Sequence, residues 1–168
     1  MVGMPRYRPV DVTSPAAVSL LTDYFGEREE TFPTGRGSYR TAFPVAATFT
    51  PPAGVFLVVN ADGAHGDAPS VACGGVRRIE PTREGLVRYE VKHLFVRPSG
   101  RGAGLGRLLM AELERRAVDL GADLVVLDTN ESLLAAGALY RSSGYDEVEP
   151  YNDNPNATTW FAKRVGDG

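Results

Sequence analysis

Residues 98–107, Pro98-Ser99-Gly100-Arg101-Gly102-Ala103-Gly104-Leu105-Gly106-Arg107, gather four glycines and two arginines. Small side chains let successive backbone N–H groups converge on a ligand. A helix starting at Leu105 would add about half a positive charge at its N-terminus. Arg101 and Arg107 supply side-chain donors suited to phosphate oxygens. Such a loop offers capture of a phosphate or pyrophosphate, and a plain strand-to-helix turn would not need so many glycines and arginines together. Upstream, Glu90 and Lys92 interrupt an apolar run, where charges need either a cleft or each other. Downstream, Tyr140 lies in Ala138-Leu139-Tyr140-Arg141-Ser142-Ser143-Gly144-Tyr145. Cys73, within Val71-Ala72-Cys73-Gly74-Gly75, reads as a small buried hydrophobe. With one cysteine and two histidines, His65 and His93, the chain has neither an intrachain disulfide nor a Cys/His zinc site, and no metal is expected.

Spacing tests the phosphate motifs. A Walker A loop needs Gly, four residues, Gly, then Lys and Ser/Thr; no glycine pair fits, and the only lysines are Lys92 and Lys163. A dinucleotide fingerprint starting at Gly100, Gly102 or Gly104 would need its last glycine where Leu105, Arg107 or Leu109 stands. Asp128, 22 residues past Gly106, imitates the ribose-binding acid of that motif, but the glycines are wrong. What fits is Arg-x-x-Gly-x-Gly at Arg101, Gly104 and Gly106.

The elements that would position these groups follow from periodicity. After Ser14-Pro15, residues 16–30 predict a helix with Ala17, Leu20, Leu21, Tyr24 and Phe25 on one side. Residues 31–54 are rich in Pro and Gly yet hold Phe32, Tyr39, Phe43 and Phe49, as in a loop folded over something or pinned to the core. Residues 55–60 and 71–80 predict an antiparallel hairpin around a turn at 61–70. Residues 86–96 form a third strand. Its alternation puts Val87, Tyr89, Val91, His93 and Phe95 on one face and Glu90, Lys92, Leu94 and Val96 on the other, unless a bulge breaks the phase. His93 is then a packed core histidine facing away from Glu90. Residues 105–120 form the clearest helix, with Leu105, Leu109, Leu113 and Ala117 recurring at i+4 and Gly121 as its stop. A strand at 124–127, a helix at 133–143, and strands at 145–151 and 158–165 complete an α/β order.

The stretch from Tyr89 to Pro98, the glycine loop, the helix after it, and the Tyr140–Tyr145 segment together resemble the GNAT superfamily of N-acetyltransferases. The match is strongest over 86–146. Residues 55–85 and 147–165 agree in strand order, and 1–54 match weakly, as a variable acceptor-side segment. The resemblance implies a single α/β domain over 1–168, with a mixed, mostly antiparallel sheet flanked by helices, and acetyl-CoA as cosubstrate. It implies that Leu94, Phe95 and Val96 hold the pantetheine arm through backbone groups. Arg101, Gly102, Ala103, Gly104, Leu105, Gly106 and Arg107 would hold the pyrophosphate, and an N–H near Phe95 would polarise the thioester oxygen. Tyr140 is the implied general acid for the departing thiolate. Glu90 is the candidate base, with a water chain or the Lys92 neighbourhood as alternatives. Asn130 either reaches the cofactor or caps the turn after its strand. The asparagine often found seven residues before the tyrosine is Leu133 here.

The 168 residues, 43% hydrophobic, suffice for one core and exclude wholesale disorder. Net charge −3 hides an order: −2 over residues 1–76, +5 over 77–116 and −6 over 117–168. The basic block coincides with one compact loop between acidic flanks, which argues against nucleic-acid binding and suits a local anion site. The N-terminus has no apolar run of signal-peptide type, and no stretch could cross a bilayer, so a cytoplasmic protein without membrane contact is expected. The expected acceptor is a small-molecule amine or a peptide, and the resemblance allows a homodimer. Glu147, Glu149 and Asp153 beside Tyr151 and Trp160 suggest a cationic amine, with a solvated rim as the alternative. A CoA-binding module without catalysis is the rival function.

Overall fold

The computed structural model describes residues 4–60 and 69–166. Ser14 accepts a hydrogen bond from the Ala17 amide (3.4 Å), and Pro15 occupies the first turn of α1, Pro15–Thr31. Ala17, Leu20, Leu21 and Phe25 form its buried stripe. The strands are β1, Arg6–Pro9; β2, Gly54–Asn60; β3, Ser70–Ile79; β4, Arg88–Val96; β5, Leu124–Thr129; β6, Asp146–Val148; and β7, Thr159–Arg164. The other helices are α2, Leu105–Asp119, between β4 and β5, and α3, Leu134–Ser142, between β5 and β6. Among the described residues no helix is long and apolar enough to cross a membrane.

One sheet runs in the order β1-β2-β3-β4-β5-β7-β6, antiparallel except where β5 lies parallel to β4. β1 pairs with β2 and was not anticipated; bounded by Pro5 and Pro9, it is too short to carry a pattern. β2 and β3 pair antiparallel as expected, and most of their connection, 61–68, lies outside the described residues. The strand expected over 145–151 keeps its ladder only at Asp146–Val148.

Two apolar clusters sandwich the sheet. Val55, Leu57, Val76, Tyr89 and Val91 meet Leu109, Leu113 and Ala117 of α2 on one face. Phe56, Val58, Cys73 and Phe95 meet Leu20, Leu21 and Phe25 of α1 on the other. The single alternation expected along β4 is therefore wrong. Pairing skips from Cys73↔Phe95 to Gly75↔Lys92, so Gly74 opposes both His93 and Leu94 in a β-bulge. His93 takes φ 58°, a left-handed conformation costing a non-glycine residue about 1–2 kcal/mol. Tyr89 and Val91 face α2, whereas His93 and Phe95 turn toward α1, where His93 packs edge-on against Tyr24 and Phe25. His93 is a packed histidine, but on the side of Glu90 and Lys92.

Candidate active site

β4 and β5 share only the pairs Arg88↔Leu124, Tyr89↔Val125 and Glu90↔Val126. Beyond Glu90 the parallel neighbours part, and a cleft of about 990 Å³ passes through the sheet. Lys92 to Val96 line one side of it, Leu127 to Asn130 the other. Arg101 and Gly106 stand at one end; Tyr24, Arg28 and Tyr39 also contribute to the wall.

The glycine loop is built to leave donors free. Gly102 (φ 93°) and Gly104 (φ 76°) hold left-handed turns that a side chain would strain, and Gly104 opens α2. The first helical bond is Leu108 N–H to Gly104 C=O, 3.1 Å. Among the described residues the N–H groups of Gly102, Ala103, Gly104, Leu105, Gly106 and Arg107 donate to nothing, so six amides at a helix start await acceptors. The two arginines are placed differently from the expectation that their side chains face a phosphate. Arg101 gives Nε to Val96 C=O (2.9 Å) and Nη2 to the Glu27 carboxylate (2.8 Å). Arg107 donates to Ser142 Oγ at 2.7 Å. Backbone donors, rather than these guanidiniums, are the loop's open valences.

Tyr140 lines the cleft, 8% exposed, its ring against Phe161 and Tyr145. Its hydroxyl makes no hydrogen bond among the described residues. Burial, with the nearby Tyr24 hydroxyl and Asp128 carboxylate, pushes its ionisation well above the usual tyrosine range against the opposing pull of Arg28. The hydroxyl thus stays protonated throughout the working pH range.

Glu90 stands behind the cleft rather than in its wall. Its carboxylate is 1% exposed. Oε1 accepts from Nε and Nη2 of Arg77 at 3.0 and 2.9 Å, its direct cross-strand partner, and Oε2 from the Tyr151 hydroxyl at 2.7 Å. Asn152 adds a 3.4 Å contact, and Lys92 Nζ lies 3.8 Å away. Proton uptake would have to break one of these bonds. Asp128, dismissed as a motif decoy, lines the cleft and accepts from Lys92 (3.2 Å), Asn152 (2.8 Å) and Asn154 (3.2 Å). Asn130 has both ends of its amide engaged: Oδ1 accepts from Ser132 N–H (3.0 Å) and Nδ2 donates to Asn156 C=O (3.2 Å), which caps the turn after β5. Leu94, Phe95 and Val96 line the cleft just past the bulge.

The expected acidic–aromatic acceptor wall is not assembled. Glu147, Glu149 and Asp153 are exposed and off the cleft, and Glu147 pairs with Arg141 at 3.6 Å. Tyr151 is committed to Glu90, and Trp160 Nε1 to Asn152 Oδ1 (2.9 Å). Instead the 31–54 segment closes over the cleft with the β6–β7 loop: Arg40 N–H donates to Asn156 Oδ1 and Asn156 Nδ2 to Arg40 C=O, each 3.0 Å. Arg28, Arg40, Asn154 and Asn156 escaped sequence reading because no local motif joins positions so far apart. Among the described residues no group of three or more His, Cys, Asp or Glu side chains could hold a metal ion.

A seven-stranded sheet splays between its two parallel central strands, and a donor-rich helix start stands at one end of the gap. A model of the acetyltransferase (GNAT) family matches residues 17–145, and the chain belongs to that family. It is 39% identical over 107 residues to an uncharacterized N-acetyltransferase of Schizosaccharomyces pombe, across 64% of this chain and 61% of that protein. It thus spans about three-fifths of that relative's length. Among solved structures it resembles an acetyltransferase from Streptococcus agalactiae (TM-score 0.74, 16% identity, 96% of this chain and 98% of that one). It also resembles a phosphinothricin acetyltransferase from Sinorhizobium meliloti in complex with acetyl-CoA (TM-score 0.64, 18% identity, 100% of this chain and 91% of that one). These likenesses support the α/β fold with a mostly antiparallel sheet flanked by helices.

Proposed function

We propose that this chain is an N-acetyltransferase that moves an acetyl group from acetyl-CoA to a primary amine by direct attack. The observation carrying the reading is the unpartnered Tyr140 hydroxyl, set in a cleft between β4 and β5 that reaches the glycine loop and its free amides at Gly106. The loop amides would take the pyrophosphate oxygens, and the β4 backbone at Leu94, Phe95 and Val96 the pantetheine arm. The amine nitrogen forms a bond to the thioester carbon, the oxygen is held by an N–H beside the bulge, and the C–S bond breaks. The sulfur leaves with the electron pair and takes a proton, with Tyr140 as its donor; the amine nitrogen sheds one. Acetyl-CoA and amine thus yield amide and free CoA thiol.

Glu90, the expected base, would take the amine's proton only by giving up Arg77, Tyr151 or Asn152. We therefore give Glu90 the part of fixing Lys92 and Tyr151, and let the proton leave through cleft water. A pH–rate profile of Glu90→Gln decides: a retained limb supports this assignment, and a lost limb restores Glu90 as base. The activity itself is tested by free-thiol release from acetyl-CoA across an amine and peptide panel. Stabilisation by acetyl-CoA without thiol release from any acceptor would instead mark a non-catalytic CoA-binding module.

A further inference from the structure

The charges along the cleft are unevenly partnered. Arg101 is paired with Glu27, Arg77 with Glu90 and Lys92 with Asp128. Arg28 and Arg40 also line the cleft, yet no carboxylate of the described residues lies within ion-pair distance of either. Arg40 is exposed and water can satisfy it. Arg28 is different. Its guanidinium lies over the Tyr24 ring, 5.7 Å from the centroid, and its Nε is buried without a hydrogen-bond partner. A buried charged donor without a partner costs about 1–3 kcal/mol, and unlike Arg97, whose other nitrogens bond Asp23 and Ser19, Arg28 has no acid among the described residues to offset it. The Tyr39 hydroxyl is hydrogen-bonded with the guanidinium and with Tyr24, but no acid of the described residues neutralises the charge.

We propose that Arg28 is the carboxylate-binding residue of the acceptor site, and that the acceptor is an amino acid or a similar small amine bearing a carboxylate. This deepens the acetyltransferase reading and rests on it. A guanidinium takes a carboxylate through two N–H donors, and that of Arg28 belongs to the cleft wall with no acid of the described residues beside it. One half-buried cation beside Tyr24 and Tyr39 matches one negative charge. Position agrees, because Arg28 and Tyr140 line the same cleft. A carboxylate held by Arg28 would keep the amine of the same small molecule near the reacting end. The cationic amine expected from Glu147, Glu149 and Asp153 finds no acid wall in the cleft; its anionic counterpart finds a waiting cation.

The test uses free amino acids, each paired with its own carboxamide and its decarboxylated amine, with thiol release from acetyl-CoA as readout. Wild type should favour the best carboxylate acceptor over its amide at least tenfold in kcat/KM. Arg28→Gln should bring that ratio within twofold while its Kd for acetyl-CoA stays within twofold of wild type. Arg28→Lys, which keeps the charge and loses the fork, should fall between and guards against a folding defect. Equal or better turnover of the amides, or an unchanged ratio in Arg28→Gln, overturns the proposal. So does a tenfold loss of acetyl-CoA affinity in that variant with discrimination intact, which would assign Arg28 to a cofactor phosphate. The same pairs are scored by thermal shift in the presence of CoA, which needs no turnover. Stabilisation by the amino acids but not their amides, lost in Arg28→Gln, supports the subsite even if no acceptor reacts; no such stabilisation overturns it. Absence of thiol release with every amine counts against the acetyltransferase reading alone.

Discussion

Replacing Tyr140 by Phe removes one oxygen and nothing else, and the surroundings of that oxygen set opposite expectations for stability and rate. The hydroxyl has no hydrogen-bond partner among the described residues, while its ring packs on Phe161 and Tyr145. Deleting a hydroxyl that lines the cleft and makes no hydrogen bond among the described residues forfeits no bond within the fold, so Tyr140→Phe should unfold close to the wild-type temperature. General acid catalysis contributes about 10²–10⁴-fold, or about 3–5 kcal/mol of barrier, so kcat should fall by that factor. Because burial raises the Tyr140 ionisation above the usual tyrosine range, the hydroxyl remains a donor at every pH where the fold survives. No alkaline loss of activity below about pH 10 should trace to it. The assay is thiol release at saturating acetyl-CoA, with Kd for acetyl-CoA measured separately and expected within twofold of wild type. A rate within twofold of wild type refutes the acid role. A fall of several degrees in melting temperature would show that the hydroxyl holds the fold together and that the reasoning from its missing partner is wrong.

Further outcomes follow from single environments. Burial first, then the Lys92 and Arg77 charges, press His93 down to about 3. The unfolded chain therefore binds that proton more readily, and stability drains as pH falls below about 6.5 toward 3, by about 2 kcal/mol at pH 5; calorimetry should show this acid slope, reduced in His93→Gln. A Cβ on Gly75 would sit 2.7 Å from the Phe49 ring and 3.0 Å from Phe56, so Gly75→Ala should cost about 1–3 kcal/mol in chemical denaturation, and a neutral result would mean that the rings move freely. Burial pushes the Cys73 thiol up to about 12. A thiol reagent should accordingly find no protein thiol in the native enzyme and one per chain after denaturation; rapid native labelling would contradict the packed core around it.

Much of the architecture could be read from residue order because each clear element carries its own local rule. The i+4 leucines of α2, the Ser14-Pro15 start of α1 and the glycine loop each point to one structure without help from elsewhere. β1 has four residues, follows Pro5 and ends on Pro9, so only its ladder with β2 reveals it. The β4 faces failed for a different reason. A bulge is a negotiation between two strands, and Gly74, which accommodates it, lies 19 positions before His93. The candidate site divides the same way. The loop and Tyr140 carry recognisable neighbours, whereas the engagement of Glu90 by Tyr151, and of Arg40 by Asn156, depends on loops folding over one another.

The gap between β4 and β5 also bears on how the molecule breathes. Three register pairs, the α2 crossover and a few side-chain bonds, Lys92 to Asp128 and Tyr151 to Glu90 among them, join a four-stranded half, β1 to β4, to a three-stranded half, β5 to β7. A cofactor arm lying along β4 would fill the missing rungs, acting as mortar in the seam rather than as a guest in a finished cavity. Its binding free energy then becomes cohesion between the halves: at 100 times Kd it adds about 2.7 kcal/mol to the folded state. The amides flanking the seam are those whose hydrogen exchange should slow most when the arm is in place, so the protein would be held shut by the molecule it consumes and loosen at each turnover.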